Sequence, residues 1–152
     1  MAEIVACPAC GTKNRVPMSA HGTLRCAACH QALPWLVEVN DDAAFDDAVR
    51  TSAVVLVDLW APWCGPCRVI APAVERTAVE LAGRLKVVKV NVDQAPAISA
   101  RYGVQSIPTL LILRDGRVVD RVVGAVPADR LVAWVRAAVP ARGAEPPPAA
   151  HQ

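Results

Sequence analysis

The stretch Val57-Asp58-Leu59-Trp60-Ala61-Pro62-Trp63-Cys64-Gly65-Pro66-Cys67 joins an apolar segment to one with the character of a helix. Residues 53–60 are nearly all apolar, as expected of a strand that is buried on both faces of a sheet. Residues 64–82 then repeat apolar side chains at helical spacing. The two cysteines therefore follow the carboxyl end of a central strand, where open α/β sheets gather their reactive groups.

The residue types in this stretch favour thiol–disulfide chemistry. Cys64 lies near a predicted helix N-terminus, where unpaired N–H groups and the helix dipole favour the thiolate that attacks disulfides. Cys67 follows one helical turn later and could close a disulfide with it. Gly65 lets a partner backbone approach, and Pro66 stiffens the turn. Asp58 is a carboxylate in an apolar strand, so we expect a raised pKa that suits proton exchange with Cys67. A structural disulfide or a metal half-site is the alternative, and this context disfavours both.

Strand-like and helix-like segments alternate on both sides of this stretch, from residue 36 to residue 139. The Asp115-Gly116 dipeptide between two apolar runs predicts a hairpin. The order β-α-β-α-β-α-β-β-α implies an α/β fold with a central mixed sheet flanked by helices. The predicted strands are 36–39, 53–60, 85–92, 109–113 and 118–123, and the predicted helices are one that starts at 41–42 and those at 64–82, 95–102 and 127–139.

The composition bounds the class of protein. The chain has 152 residues, of which 54% are hydrophobic, and a net charge of +2. That charge is too small to indicate nucleic acid or an anionic membrane as a partner. No apolar run approaches the roughly 20 residues that span a bilayer, and the N-terminus has no secretory signal, so we expect a cytoplasmic protein. We divide the chain into residues 1–35, residues 36–139 and a disordered, proline-rich tail at 140–152.

Residues 36–139 resemble the thioredoxin family. The segment from Asp58 to Cys67 matches the active-site segment of that family, and Ile107-Pro108-Thr109 matches its second signature. Gly124 matches the glycine that lines the substrate groove, and Lys89 matches the lysine that is paired with the buried aspartate.

The resemblance implies a protein-disulfide reductase in which Cys64 attacks a target disulfide and Cys67 resolves the mixed disulfide. It implies a cis bond between Ile107 and Pro108, reduction by an NADPH-dependent thioredoxin reductase, and no tightly bound organic cofactor. We also expect a monomer. The residues expected to bind an extended target chain are Trp63, Gly65, Pro66, Ile107, Pro108 and Gly124.

The other four cysteines form the pattern C-x2-C-x15-C-x2-C, at Cys7, Cys10, Cys26 and Cys29. This spacing is typical of a zinc site in which four thiolates saturate the metal. A 35-residue segment with few large apolar side chains also needs such a cross-link to fold. Disulfides remain an alternative, and an iron site would use the same ligands. Cys26-Ala-Ala-Cys29-His30 also fits covalent haem attachment, although that leaves two cysteines without a role. We expect His30 to lie beside the site without binding the metal.

Zinc-containing segments often bind nucleic acid, but the charge of residues 1–35 disfavours that function. The excess of two positive charges there is cancelled by the charge of −2 of a zinc ion with four thiolates. The combination of this segment with the following domain resembles the second, zinc-containing type of bacterial thioredoxin. That resemblance includes Asn14-Arg15-Val16-Pro17 and Gly124-Ala125-Val126-Pro127.

Two further functions stay open beside a reductase. One is a zinc-dependent binding module or holdase that is regulated by oxidation of the N-terminal cysteines. The other is an oxidant or isomerase outside the cytoplasm. The Gly65-Pro66 dipeptide favours the reducing role, because oxidants and isomerases of this superfamily typically carry other dipeptides there.

Overall fold

The computed structural model describes residues 3–20 and 22–140, so the predicted tail lies outside the described residues except for Pro140. The chain forms seven strands and four helices within this part. The strands are β1 (Glu3–Ala6), β2 (Lys13–Val16), β3 (Trp35–Val39), β4 (Val54–Trp60), β5 (Leu85–Asn91), β6 (Thr109–Arg114) and β7 (Arg117–Val123). The helices are α1 (Asp42–Ala48), α2 (Gly65–Glu80), α3 (Pro96–Arg101) and α4 (Ala128–Ala138).

Five strands form the central mixed sheet that the sequence predicts. Their order is β3-β5-β4-β6-β7. Strands β3, β5 and β4 run parallel, and β6 runs antiparallel to both of its neighbours, β4 and β7. The hairpin between β6 and β7 turns through Asp115 and Gly116, both with positive φ (54° and 79°), as the predicted tight turn requires. The predicted fold class is therefore confirmed.

Helices cover both faces of this sheet. On one face, Ile70 and Val74 of α2 and Leu131 of α4 pack in an apolar cluster with Leu56 of β4. On the other face, a second cluster contains Phe45 of α1 and Ile98 of α3. The carboxyl end of β4 lies between these layers, and residues 61–64 connect it to the first turn of α2. This connection positions the cysteine pair.

The N-terminal segment forms a two-stranded antiparallel sheet of β1 and β2. The sequence did not predict this hairpin, because two strands of four residues give too few alternations to recognise. Buried residues of the segment, among them Cys7, Val16 and Cys26, join the same apolar cluster as Val37 of β3. The two parts of the chain therefore share one core, and the predicted division at residue 35 stays a prediction.

Polar contacts also fix the N-terminal segment to the sheet. The side chain of Glu3 accepts a hydrogen bond from the backbone N–H of Glu38 on edge strand β3 (2.9 Å). The amine of Lys86 is fully buried; it donates to the carbonyl of Met18 and lies 4.1 Å from the centroid of the Trp35 ring. This burial lowers the pKa of Lys86 to about 8. In the described part of the chain, no helix is long and apolar enough to cross a membrane.

Candidate active site

Cys64 is the N-cap residue of α2. Its backbone is extended (φ −88°, ψ 110°), and its Sγ accepts a hydrogen bond from the backbone N–H of Cys67 at 3.2 Å. Pro66 lies in the first turn, where a missing N–H costs nothing. The sulfur thus occupies the position of a capping oxygen, facing the positive end of a 16-residue helix. Cys64 and Cys67 form a disulfide with their Cα atoms 5.3 Å apart.

The two sulfurs differ in their access to the surface. Both cysteines are about 3% exposed, but only Cys64 lines the adjacent cleft of about 430 Å³. Its Sγ lies 3.8 Å from the carbonyl oxygen of Ile107 across that cleft. A target disulfide would therefore reach Cys64 first, which fits the predicted order of attack. The other residues that line the cleft are Trp63, Gly65, Pro66, Val92, Ser99, Val104, Gln105, Ser106 and Ile107.

The second signature lies opposite the cysteines. The bond between Ile107 and Pro108 is cis, as the family resemblance implies. The backbone N–H of Gly124 donates to the carbonyl of Pro108 at 2.9 Å, and Gly124 has a φ of +97°. A side chain at Gly124 would be strained in that conformation, so glycine suits the position. Pro108 and Gly124 adjoin the residues that line the cleft.

Asp58 is buried in β4 and is 1% exposed. Its Oδ1 has no hydrogen-bond partner among the described residues. Burial raises the pKa of Asp58 to about 6, although the positive charge of Lys89 opposes this. Asp58 and Lys89 are paired across β4 and β5, but the described residues show no ion pair within 4.0 Å between them. The amine of Lys89 lies instead 4.6 Å from the centroid of the Trp60 ring.

Comparison with known proteins identifies the family. The family model described as Thioredoxin matches residues 36–137. The chain belongs to the thioredoxin family. It is 54% identical over 91 residues to "Thioredoxin 1" of Synechococcus elongatus, covering 59% of this chain and 85% of that protein. It is 48% identical over 96 residues to "Thioredoxin" of Haemophilus influenzae, covering 62% and 90%.

A chloroplast relative gives the same result: "Thioredoxin M-type, chloroplastic" of Chlamydomonas reinhardtii is 45% identical over 97 residues, covering 64% of this chain and 69% of that protein. The chain is thus a thiol–disulfide oxidoreductase, and Cys64 with Cys67 forms its redox-active pair. The predicted roles of the other site residues stay predictions; Trp63, Gly65, Pro66 and Ile107 line the cleft beside this pair.

Sequence reasoning missed several residues of this thioredoxin site. The carboxylate of Asp93 accepts a hydrogen bond from the indole N–H of Trp63, at 3.0 and 3.2 Å from its two oxygens. This contact holds an indole that is 66% exposed in one orientation at the rim of the cleft. Gln105 and Ser106 also line the cleft. For Gln105 and Ser106, the only signal in the sequence is their position just before Ile107. Asp93 gives no local signal, because its contact with Trp63 spans 30 residues.

The four N-terminal cysteines lie together in this thioredoxin, outside the range of the family match. All four Sγ atoms are within 4.8 Å of one another. The shortest separations, Cys7 to Cys29 and Cys10 to Cys26, are both 3.6 Å. Tetrahedral coordination with Zn–S bonds of about 2.3 Å places sulfur atoms roughly 3.8 Å apart. The cluster therefore has the ligand number, ligand type and spacing that a zinc ion requires.

Each half of the cluster has the same backbone turn. The N–H of Gly11 donates to the carbonyl of Cys7 at 2.8 Å, and the N–H of His30 donates to that of Cys26 at 2.9 Å. Gly11 and His30 both have positive φ, of 80° and 65°. His30 therefore occupies the backbone position that glycine fills in the first half. Its ring is not part of the group of ligand atoms, and its expected position beside a bound metal stays a prediction.

Hydrogen bonds to sulfur favour the thiolate form of Cys26. The backbone N–H of Cys29, followed by the side chain of Asn14, lowers the pKa of Cys26 to about 6. The amide nitrogen of Asn14 lies 3.4 Å from this sulfur, and its Oδ1 accepts from the N–H of Ala27 at 2.9 Å. The thiolate that a metal ion needs is thus supported by groups that are already in place.

Proposed function

We propose that this protein is a cytoplasmic protein-disulfide reductase of the zinc-containing second type of thioredoxin. The observation that carries the proposal is the position of Cys64. Its sulfur caps helix α2 and is the one sulfur of the pair that lines the cleft. Relatives that carry the name thioredoxin support the disulfide-reductase part of the proposal.

The reaction begins with the reduced protein. The thiolate of Cys64 attacks one sulfur of a target disulfide, so that a mixed disulfide forms and the other target sulfur leaves as a thiolate. Cys67 then loses its proton and attacks the sulfur of Cys64, which releases the second target sulfur. Two electrons have passed to the target, and the protein holds the Cys64–Cys67 disulfide. A thioredoxin reductase returns it to the dithiol with electrons from NADPH.

The surroundings of the pair serve the two steps differently. The dipole of α2 and the N–H of Cys67 stabilise negative charge on Cys64. Asp58, with a pKa of about 6, exchanges the proton that Cys67 must lose. The groove of Trp63, Gly65, Pro66, Ile107, Pro108 and Gly124 receives the target as an extended chain.

The four-cysteine cluster binds one structural zinc ion in this proposal. Cys7, Cys10, Cys26 and Cys29 would supply four thiolates, which leaves no coordination position open for a substrate. The metal supplies a cross-link between the two halves of the N-terminal segment. Because Cys7 and Cys26 belong to the shared apolar cluster, that cross-link also stabilises the contact with the main sheet.

Insulin-disulfide reduction tests the activity. We expect turnover with dithiothreitol, and with NADPH plus thioredoxin reductase, that disappears in Cys64→Ser. Ser52→Ala is the control, because Ser52 is exposed and lies outside both the redox pair and the four-cysteine cluster. Purified protein should carry one zinc per chain by elemental analysis. A pure holdase would prevent aggregation of an unfolded client without reducing insulin, and that result would contradict the proposal.

A further inference from the structure

Residues 104–107 form one wall of the cleft, in the connection between α3 and β6. Gln105 and Ser106 in this wall are exposed. Within the described residues, the wall is anchored from inside by two bonds. The N–H of Val104 donates to Ser99 at 3.0 Å, and the carbonyl of Ser106 accepts from the hydroxyl of Thr109 at 2.7 Å. The position of the wall therefore depends on what holds its two ends.

Arg121 of β7 and Gly124, which directly follows β7, hold the two ends. At the far end, the N–H of Gly124 donates to the carbonyl of Pro108. At the near end, Arg121 donates from Nη1 to the carbonyl of Tyr102 at 2.6 Å and from Nη2 to that of Gly103 at 3.3 Å. Arg121 uses its side chain and Gly124 its backbone N–H, so the two contacts hold the residues on either side of the wall.

The chemistry of the near end requires an arginine. Tyr102 is the C-cap residue of α3, and the last carbonyls of a helix have no partner within the helix. Two successive carbonyls present two acceptors, and the planar guanidinium offers two donors in a fixed fork. A lysine carries the same charge but offers no such fork. The positive charge of Arg121 near the C-terminus of α3 also interacts favourably with the negative end of the helix dipole.

We propose that Arg121 is a positioning residue for the binding of protein targets. It does not line the cleft, so it acts through the wall that it holds. A protein target must lie along that wall, whereas a small disulfide needs only the sulfur of Cys64. Loss of the two hydrogen bonds of Arg121 therefore weakens the binding of protein targets and leaves the chemistry at Cys64 unchanged. This inference rests on the proposed function, because it concerns the same cleft.

The test compares two substrates in Arg121→Gln. We expect the KM for insulin to rise about 3- to 10-fold, with kcat within about twofold of wild type. The rate with a small linear disulfide such as oxidised glutathione should stay within about twofold, and so should the alkylation rate of Cys64 by iodoacetamide. Normal rates with these small reagents would show that the site is folded. Arg121→Lys should recover less than half of the loss in insulin binding.

Arg130→Gln on α4 is the matched control. Arg130 is exposed, and within the described part of the chain it makes no hydrogen bond or ion pair, so its loss removes the same charge without a contact. Full recovery by Arg121→Lys, or an equal effect of Arg130→Gln, would indicate long-range charge and overturn the inference. An unchanged KM in Arg121→Gln, or an equal loss with both substrates, would also overturn it. Failure of the wild type to reduce insulin would instead contradict the proposed function.

Discussion

The N-terminal cysteine motifs and the Cys64–Cys67 motif begin with the same backbone hydrogen bond. In each, the N–H four residues after the first cysteine donates to the carbonyl of that cysteine: Gly11, His30 and Arg68 are the donors. The motifs diverge at this residue. Gly11 and His30 have positive φ and end the turn, whereas Arg68 continues into α2.

This divergence sets the partner of each sulfur. Where the helix continues, the two sulfurs of one motif bond to each other, and the first caps the helix. Where the turn ends, each sulfur lies 3.6 Å from a sulfur of the other motif. The spacing C-x-x-C is therefore shared by a redox pair and by a metal cluster, and the backbone after the second cysteine decides between them.

The largest effect should come from removing one cysteine of the N-terminal cluster. We expect Cys7→Ser to lose the metal and more than about 4 kcal/mol of the free energy of unfolding, because Cys7 is 2% exposed within the shared core. Cys67→Ser, equally buried, should keep the zinc and change stability by about 1 kcal/mol under reducing conditions. Urea unfolding with zinc analysis measures both. Equal losses in the two variants would remove the proposed distinction between structural and reactive cysteines.

Removal of the Asp58 carboxylate at the reactive site should have a smaller effect, and it should raise the free energy of unfolding rather than lower it. The pKa of Asp58 is raised from its ordinary value of 3.8 to about 6, so the unfolded chain releases this proton at lower pH than the folded protein. Ionisation of Asp58 therefore leaves the free energy of unfolding unchanged below about pH 4. It lowers that free energy progressively as the pH rises from about 4 to 6, and the loss is constant at higher pH. The full cost is about 3 kcal/mol at neutral pH.

Asp58→Asn should remove this pH dependence. We expect its stability relative to wild type to rise by about 3 kcal/mol between pH 4 and pH 8, while its insulin reduction slows. Asp129→Asn, on the exposed surface of α4, is the control for the loss of one carboxylate. Urea unfolding at several pH values measures the difference. If the free energies of unfolding of Asp58→Asn and wild type differed by the same amount at every pH, the pKa of Asp58 would not be raised in the folded protein.

The smallest effect should come from His30→Gly, which makes the two halves of the cluster alike. Glycine relieves the strain of positive φ at this position but increases the freedom of the unfolded chain, so the two contributions nearly cancel. We expect a stability change within about 0.5 kcal/mol and the same zinc content as the wild type. Loss of zinc in this variant would show that the imidazole is a ligand after all.

The sequence predicted the parts of the molecule that depend on local pattern. The apolar run of β4, the Asp115-Gly116 turn and the start of α2 at the cysteine pair are signals within a few residues, and the structure has all three. The cis bond before Pro108 followed from resemblance, since sequence physics alone disfavours a cis peptide.

The contacts that escaped prediction join residues far apart in the chain. Asp93 reaches Trp63 across 30 residues, and Lys86 reaches Met18 across 68. Arg121 on β7 has the ordinary look of an exposed charged residue, and only the fold shows that α3 ends within its reach. No local periodicity records such pairs, because each depends on the packing of separate elements.

The N-terminal segment also determines how much strand edge the molecule exposes. At one edge of the central sheet, Glu3 occupies a backbone N–H of β3. The opposite edge, β7, carries Asp120 and Arg121, and such charges discourage pairing with a strand of another molecule. Strand β3 has buried apolar side chains and would become a second open edge if the segment detached. Loss of the cysteine cluster would thus turn the folded protein into a template for aggregation.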